Sequence, residues 1–389
     1  MKPDSLRAFD SFSEHALGYL DEIKEQGTLV AGIYCIYAPV EIIRAAGSVP
    51  VGLCGKKQEP IARAEQELPA NLCPLIKSSY GYAAGNTCPY FAFSDVIIGE
   101  TTCDGKKKMF ELMSRIKPVH LMHLPYTSAG SHALEFWYSE VRRLAGYMES
   151  LTGKTIDVPE LRRQIALQNR IRLLFQKLLS FFETRAPLSG MELLPVHESK
   201  GFIVDPERYC DQLTKLIADL EAMEARKEAD QHPGAPRVLL TGTPLGKGSE
   251  KVLRAIEDSG AVVVCMENCT GLKSIYSLVD EEDPDPFRAI ARYYLSIPCS
   301  CMTPNTGRMS LLSELVERFH IDAVVDLTWQ ACHTYNIESS SVKTMLAETH
   351  QVPVLHLETD YHPSDAGQIR VRIEAFLEMI EHKKPVHAT

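Results

Sequence analysis

The chain has 389 residues, 45% of them hydrophobic and 24% charged, a globular composition long enough for two or three domains. Its formal net charge of −10 excludes a general nucleic-acid binder, whose affinity rests on Lys and Arg. No apolar run approaches the roughly 20 residues of a membrane span, and the start, Met1–Arg7, has no apolar signal-peptide core, so a cytoplasmic protein with neither membrane nor nucleic-acid partners is expected.

Phe9, Phe12, Leu17, Leu20 and Ile23 recur at helical spacing and predict an N-terminal helix over residues 1–26, stopped by Gly27. Strands are expected at Leu29–Ile33, Val49–Leu53, Asp95–Ile98 and Val119–Leu121, with helices from Pro39 to Ala46 and over Lys106–Ile116. These make a first α/β lobe over 27–130. From His132 to about Glu183 the pattern is helical and charge-laced; a loop with Pro187, Gly190 and Pro195 follows, then a helix at about Pro206–Arg226. This helical layer and its linker cover 131–230. The polar, proline-containing segment Lys227–Pro236 marks the boundary to a second lobe, 231–389. There, strands are expected at Val238–Thr241, Ala261–Val264, Ala323–Leu327 and Val354–Leu357. Helices are expected at Ser249–Asp258, Asp285–Leu295, Met309–Phe319, Ser339–Thr349 and Ala366–Ile380. Short apolar strands alternating with helices specify parallel sheets. The fold class is α/β, two lobes joined by a helical layer.

The loop Gly242–Ser249 follows a strand and precedes a helix, as a phosphate-binding loop does. It has three residues between its first glycine and Gly246-Lys247, and Gly248 in place of Ser or Thr after the lysine. A Walker A motif needs four and a hydroxyl. The reading is a turn at a strand's carboxyl end.

The chain has 11 cysteines. In a large chain without an export signal, clustered thiols point to metal binding or catalysis. Cys265 ends an apolar run, Cys210 sits in a helical stretch and Cys54 follows Val49–Leu53, so these three read as core. Cys103, Cys269 and Cys332 fall just beyond strand ends, where α/β folds build their sites and where helix N-termini stabilise thiolates. Cys35 lies near the first strand, with Pro39 and Glu41 at a helix entrance to the same cleft. Cys73 and Cys88 each precede a proline, and Cys299 and Cys301 form a C-x-C pair. A structural zinc site favours two close-spaced pairs, which these loops lack. Dispersed thiolates suit an iron–sulfur cluster. Spacing alone leaves cluster, scattered core thiols and zinc all open.

Four blocks carry a family resemblance: Tyr34–Gly47 (YCIYAPVEIIRAAG), Asn71–Gly81 (NLCPLIKSSYG), Gly99–Lys108 (GETTCDGKKK) and Gln330–Tyr335 (QACHTY). Together they resemble the superfamily of 2-hydroxyacyl-CoA dehydratase D-components and benzoyl-CoA reductases, in its stand-alone branch that includes double-cubane cluster proteins. The resemblance runs from about residue 10 to 382. It implies two Rossmann-like (flavodoxin-like) lobes with the cofactor between them. It implies a [4Fe-4S] cluster held by Cys73, Cys103 and Cys332, or a double-cubane [8Fe-9S] cluster that adds Cys88, Cys269 and Cys301, with Cys299 the alternative to Cys301. Thr243 stands where related chains can carry another cysteine. It further implies a homodimer and a separate homodimeric iron–sulfur activator ATPase as electron donor, in line with the missing Walker A motif. The activity expected is ATP-dependent, low-potential reduction of a small-molecule substrate. The alternatives are a 2-hydroxyacyl-CoA dehydratase component and a non-catalytic electron carrier.

Such chemistry needs proton sources near the cluster. His333 and Tyr335, beside Cys332, are the leading candidates, and Glu41 is a first-turn acid placed to reach the cleft. Lys106–Lys108 are three lysines at a helix start, against the dipole preference. They are expected to offset cluster charge, contact an acidic partner or form a solvated turn.

Overall fold

A computed structural model describes residues 2–228 and 230–381, so residues 382–389 of the expected second lobe lie outside the described residues. Eight strands form two parallel sheets. The first contains β1 (Val30–Ile33), β2 (Val49–Gly52), β3 (Val96–Glu100) and β4 (Val119–Met122), in the order β2-β1-β3-β4. The second contains β5 (Arg237–Gly242), β6 (Val262–Glu267), β7 (Ala323–Trp329) and β8 (Val354–Thr359), in the order β6-β5-β7-β8. The two orders are the same. The expected two Rossmann-like lobes are present. Every residue of β3, β6 and β7 is buried, which is why each opens on a run of apolar residues, Val96–Ile98, Val262–Met266 and Ala323–Val325, rather than alternating. In each sheet the order reverses beside the first strand. The crevice for a ligand therefore opens beyond the carboxyl ends of β1 and β3 in one lobe, and of β5 and β7 in the other.

The helical stretch expected from His132 to about Glu183 consists of two helices, Ser131–Thr152 and Val158–Ser180. Gly153 ends the first in a left-handed conformation (φ 72°), and Asp157 caps the second by accepting from the Glu160 amide. The helical layer departs from expectation in one place: the expected loop around Pro195 contains a helix, Gly190–Ser199. A Ser189–Glu192 capping box nucleates it, and burial of Leu193, Leu194 and Val196 outweighs the backbone bond that Pro195 forfeits. The N-terminal helix is interrupted at Ser11, giving Arg7–Asp10 and Phe12–Glu25. Pro74–Gly85 and Pro89–Phe93 are additional helices, each opened by a proline in its first turn.

The lobes share cores. One apolar cluster joins Ile42 and Ile98 of the first lobe, Trp137 and Leu144 of the helical layer, and Ile290 and Tyr294 of the second lobe. Another joins Ile97 and Phe110 to Val325 and Trp329. Among the described residues, no helix is long and apolar enough to cross a membrane.

Candidate functional site

Both sheets deliver cysteines at matching places. Cys54 stands two residues past β2 and Cys269 two past β6; Cys103 stands three past β3 and Cys332 three past β7. Cys35 stands two past β1, where the second lobe has Pro244 after β5. Cys103 and Cys332 are N-cap residues of the helices Asp104–Met113 and His333–Thr349, and Cys73 caps Pro74–Gly85. The Cys103 sulfur accepts from the Lys106 amide at 3.4 Å. The helix His333–Thr349 starts at His333 rather than at the expected Ser339, with Cys332 as its N-cap.

A cavity of about 940 Å³ lies between the lobes and is lined by Cys35, Cys54, Cys73, Cys103, Cys269, Cys299, Cys301 and Cys332. It is of the size that takes small molecules and cofactors. Mutual electrostatics divides these thiols into two groups. Burial pushes Cys73 up to about 11 and Cys332 up to about 12, and Cys103 adds to both. Cys73 adds to Cys332 as well, so these three act on one another across the cavity they line. Burial likewise raises Cys35 and Cys269, with Cys299 adding to each and Cys269 to Cys35. Cys299 moves the other way: a hydrogen bond from Cys301 holds it below the usual thiol range, helped by the charges of Lys273 and Arg308. Among the described residues, no three His, Cys, Asp or Glu side chains converge as a single-ion metal site. The thiols surround a space.

Lys106 links the two groups. It is buried, with its Nζ 3.5 Å from the Tyr34 carbonyl. Burial opposes its charge, but Cys35, Glu100, Cys54 and Cys103 together hold it protonated. Glu100, at the end of β3, is fully buried and neither carboxyl oxygen has a hydrogen-bond partner; burial pushes it up to about 8. Lys107 and Lys108 point outward and pair with Asp104 and Glu111, so the expected basic turn separates into one interior and two surface charges.

In the second lobe Tyr335 follows Cys332 by the same three residues that separate Lys106 from Cys103. It is buried, and its oxygen accepts from Lys273 Nζ at 3.0 Å. Lys273 pairs with Glu267 at 2.9 Å, and Glu267 also meets Arg308 at 3.3 Å; all three side chains are fully buried. Arg308 donates to Thr241 Oγ1 at 2.8 Å and reaches Glu338. Each charge in this network has a partner, as burial requires.

Five of the six cysteines expected as ligands line the cavity: Cys73, Cys103, Cys269, Cys301 and Cys332. Cys88 does not. It caps the helix Pro89–Phe93 and packs against the apolar cluster that joins the lobes. Cys54, expected as core, lines the cavity, its thiol donating to the Tyr34 carbonyl at 2.7 Å. His333 and Tyr335 line it as expected. Glu41 does not reach it: fully buried, it accepts from Arg172 at 2.6 Å and from the Tyr294 hydroxyl at 2.8 Å. Arg172 and Tyr294 stand between it and the cavity they line. Lys273, Arg308, His197 and Lys200 went unnoticed in the sequence, since nothing local marks a lysine or arginine as buried. Trp329 packs edge-on against Tyr361 at 4.8 Å and donates to the Pro244 carbonyl at 2.8 Å. Pro244 brings the Gly242–Ser249 turn to the cavity wall.

The model of the 2-hydroxyglutaryl-CoA dehydratase D-component family matches residues 35–380. The chain is 44% identical over 381 residues to the protein YjiM of Escherichia coli (strain K12), covering 96% of this chain and 97% of the relative. It is 22% identical over 388 residues to the beta subunit of (R)-2-hydroxyglutaryl-CoA dehydratase from Acidaminococcus fermentans, covering 96% and 98%. It is 24% identical over 236 residues to one of the subunits of benzoyl-CoA reductase from Thauera aromatica, covering 59% and 58%. Two parallel lobes, thiols at matching strand ends and a family match across nearly the whole chain give one conclusion: this protein belongs to the 2-hydroxyglutaryl-CoA dehydratase D-component family.

Proposed function

We propose that this protein is an iron–sulfur reductase that carries a double-cubane [8Fe-9S] cluster in the interlobe cavity. It would reduce a small substrate there, with ATP-dependent electrons from a separate homodimeric activator, and work as a cytoplasmic homodimer. The observation that carries this reading is the set of eight cysteines on one cavity. Cys73, Cys103 and Cys332 are enough for one cubane, and the remaining five exceed what a single cubane uses. Within the second group, Cys35, Cys269 and Cys299 influence one another. The favoured second set is therefore Cys35, Cys269 and one of the C-x-C pair, Cys299 or Cys301, which both line the cavity where Cys88 does not.

Such a cluster, when bound, supplies low-potential electrons. The chain's own residues supply charge and protons. Lys106 places a fixed cation between the thiol groups. Burial and the nearby Cys299 and Cys269 hold the Tyr335 phenol protonated. Its oxygen is already an acceptor from Lys273, which leaves the O–H free to donate toward the cavity. His333, exposed at the cavity edge, is placed to reload protons from solvent.

A second reading, a 2-hydroxyacyl-CoA dehydratase component with one [4Fe-4S] cluster, is favoured by the name of the Acidaminococcus relative. Anaerobic purification with iron, sulfide and zinc analysis separates the two: roughly eight irons per chain support the double cubane and roughly four the dehydratase. Zinc as the only metal overturns both.

A further inference from the structure

Regular structure places six of the eight cavity cysteines: Cys35, Cys54, Cys103, Cys269 and Cys332 follow strands, and Cys73 caps a helix. Cys299 and Cys301 have no such support. They lie in residues 296–305, between the helices Pro286–Leu295 and Thr306–Arg318, where neither a strand end nor a helix start sets a sulfur. A loop of this kind takes its shape from the groups that satisfy its backbone.

Two ties come from its own lobe. Asn305 Nδ2 donates to the Cys299 carbonyl at 3.0 Å, and Ser300 Oγ donates at 3.0 Å to Thr334 Oγ1, two residues past Cys332. Two more come from the first lobe. The Thr303 amide donates to the Tyr126 carbonyl at 2.7 Å, and the Tyr37 hydroxyl donates to the Ile297 carbonyl at 2.8 Å. The Tyr37 tie is the buried one. Tyr37 is fully buried, its ring meets Trp137 edge-on at 6.2 Å, and Ile297, Cys299 and Met302 belong to its apolar cluster. The Ile297 carbonyl also accepts from the Cys299 amide at 2.9 Å, so the phenol and the first cysteine of the pair share one acceptor. Tyr37 itself lies in the turn that the Ala38 amide closes on the Cys35 carbonyl at 3.4 Å. The segment that presents Cys35 to the cavity thus also reaches across to the C-x-C turn.

We propose that Tyr37 is a positioning residue, which from the first lobe holds the C-x-C turn of the second lobe against the cavity. It touches no reacting atom and acts through the Ile297 carbonyl. The proposal deepens the double-cubane reading, and its consequence for iron rests on that reading: Cys35 and one of the C-x-C pair then reach the second set of ligands as a single cross-lobe unit. Removing the hydroxyl leaves the Ile297 carbonyl with the Cys299 amide, so no buried acceptor is stranded and the chain should still fold.

The test is Tyr37→Phe in the anaerobically purified full chain. One readout is the rate at which iodoacetamide alkylates each thiol once a chelator has removed the metal, mapped by mass spectrometry. Cys299 and Cys301 should react about fivefold faster than in wild type, the opening that loss of one hydrogen bond allows, while Cys73 stays within about twofold. The other readout is iron release to the chelator. About half the iron should leave about fivefold faster and the rest at the wild-type rate. Tyr209→Phe, which loses a buried hydroxyl contact with Ser199 at 2.7 Å, is the control and should leave both readouts as in wild type. 4-Fluorophenylalanine at position 37 fills the hydroxyl's place without donating, and it serves if Tyr37→Phe fails to fold. Wild-type alkylation of the pair, or equal acceleration at Cys73 or in Tyr209→Phe, overturns the positioning role. Iron release that stays uniform overturns its link to the second cubane. Iron content in the wild type reports on the enzymatic reading separately, and the alkylation rates decide the positioning role whether or not that reading stands.

Discussion

The two lobes have one strand order and place cysteines at the same distances past corresponding strands, yet they put different groups on the helices that follow Cys103 and Cys332. In the first lobe, the third residue after the capping cysteine is the Lys106 ammonium, and the nearby carboxyl, Glu100, is unpartnered and tends to stay neutral. In the second lobe, that position holds the neutral phenol of Tyr335. Its neighbouring carboxylate, Glu267, is charged and doubly paired. Topology fixes where the sulfurs stand, and the helix that follows Cys103 or Cys332 decides which side chain stands three residues beyond it. A repeated scaffold thus yields one half whose third helical residue is a buried cation and one half where it is a buried, neutral phenol.

The largest expected effect breaks the equivalence of the sulfurs. Cys103→Ala and Cys332→Ala should each lose at least about half the iron, whereas Cys88→Ala, Cys210→Ala and Cys265→Ala keep it, as measured on anaerobically purified protein. Equal iron in all five variants would remove the cluster assignment.

The two buried carboxyls come next. Glu267→Gln strips Lys273 and Arg308 of their shared partner and should cost about 3–5 kcal/mol in denaturant unfolding. Glu100→Gln should be nearly neutral at pH 7. Their pH dependences also differ in sign. Glu100 is raised from 4.5 to about 8, so the native state binds the proton more tightly than the unfolded chain does, and stability falls as pH rises across that interval. Glu267 is lowered from its usual value by Lys273 and Arg308 against its burial. Its contribution is complete above the unfolded value and disappears as pH falls through the folded one. Glu100→Gln should abolish the first slope in pH-dependent unfolding and leave the second.

For the proton donor, Tyr335→Phe should slow substrate reduction by about 100-fold with iron unchanged. His333→Ala, at an exposed position solvent water can replace, should slow it less. A Tyr335→Phe variant with wild-type turnover would rule out the phenol as the proton source.

The smallest effect concerns the outer lysines. If the activator docks beside Cys103, Lys107→Glu with Lys108→Glu should slow ATP-driven reduction at low salt and much less at high salt, where screening shortens the field. Lys106 is left in place because it is interior. Rates unaffected at low salt would remove the docking role and leave the cluster assignment as it stands.

Much of this was legible in the sequence. Val96–Ile98 and Val262–Val264 announce buried parallel strands, and Cys103, Cys269 and Cys332 lie past strand ends as their loops suggest. What was not legible depends on direction rather than identity. Three consecutive lysines look alike in a sequence, but the third residue of a helix faces inward here and its successors do not. Cys54, expected as core, lines the cavity and Cys88 does not, because side-chain direction at a loop is set by the fold and not by the residue type. The helix Gly190–Ser199, obscured by Pro195, conceals His197.

The shared cores have a consequence for how the molecule moves. Ile42, Trp137 and Tyr294 come from three different stretches of chain yet lie in one apolar cluster. Swinging the lobes apart would wet that cluster at about 25 cal/mol for every Å² exposed. The lobes are therefore ill suited to act as jaws. A small molecule would then enter between lobes that stay packed together, past Tyr126, which stands 83% exposed at the cavity's edge.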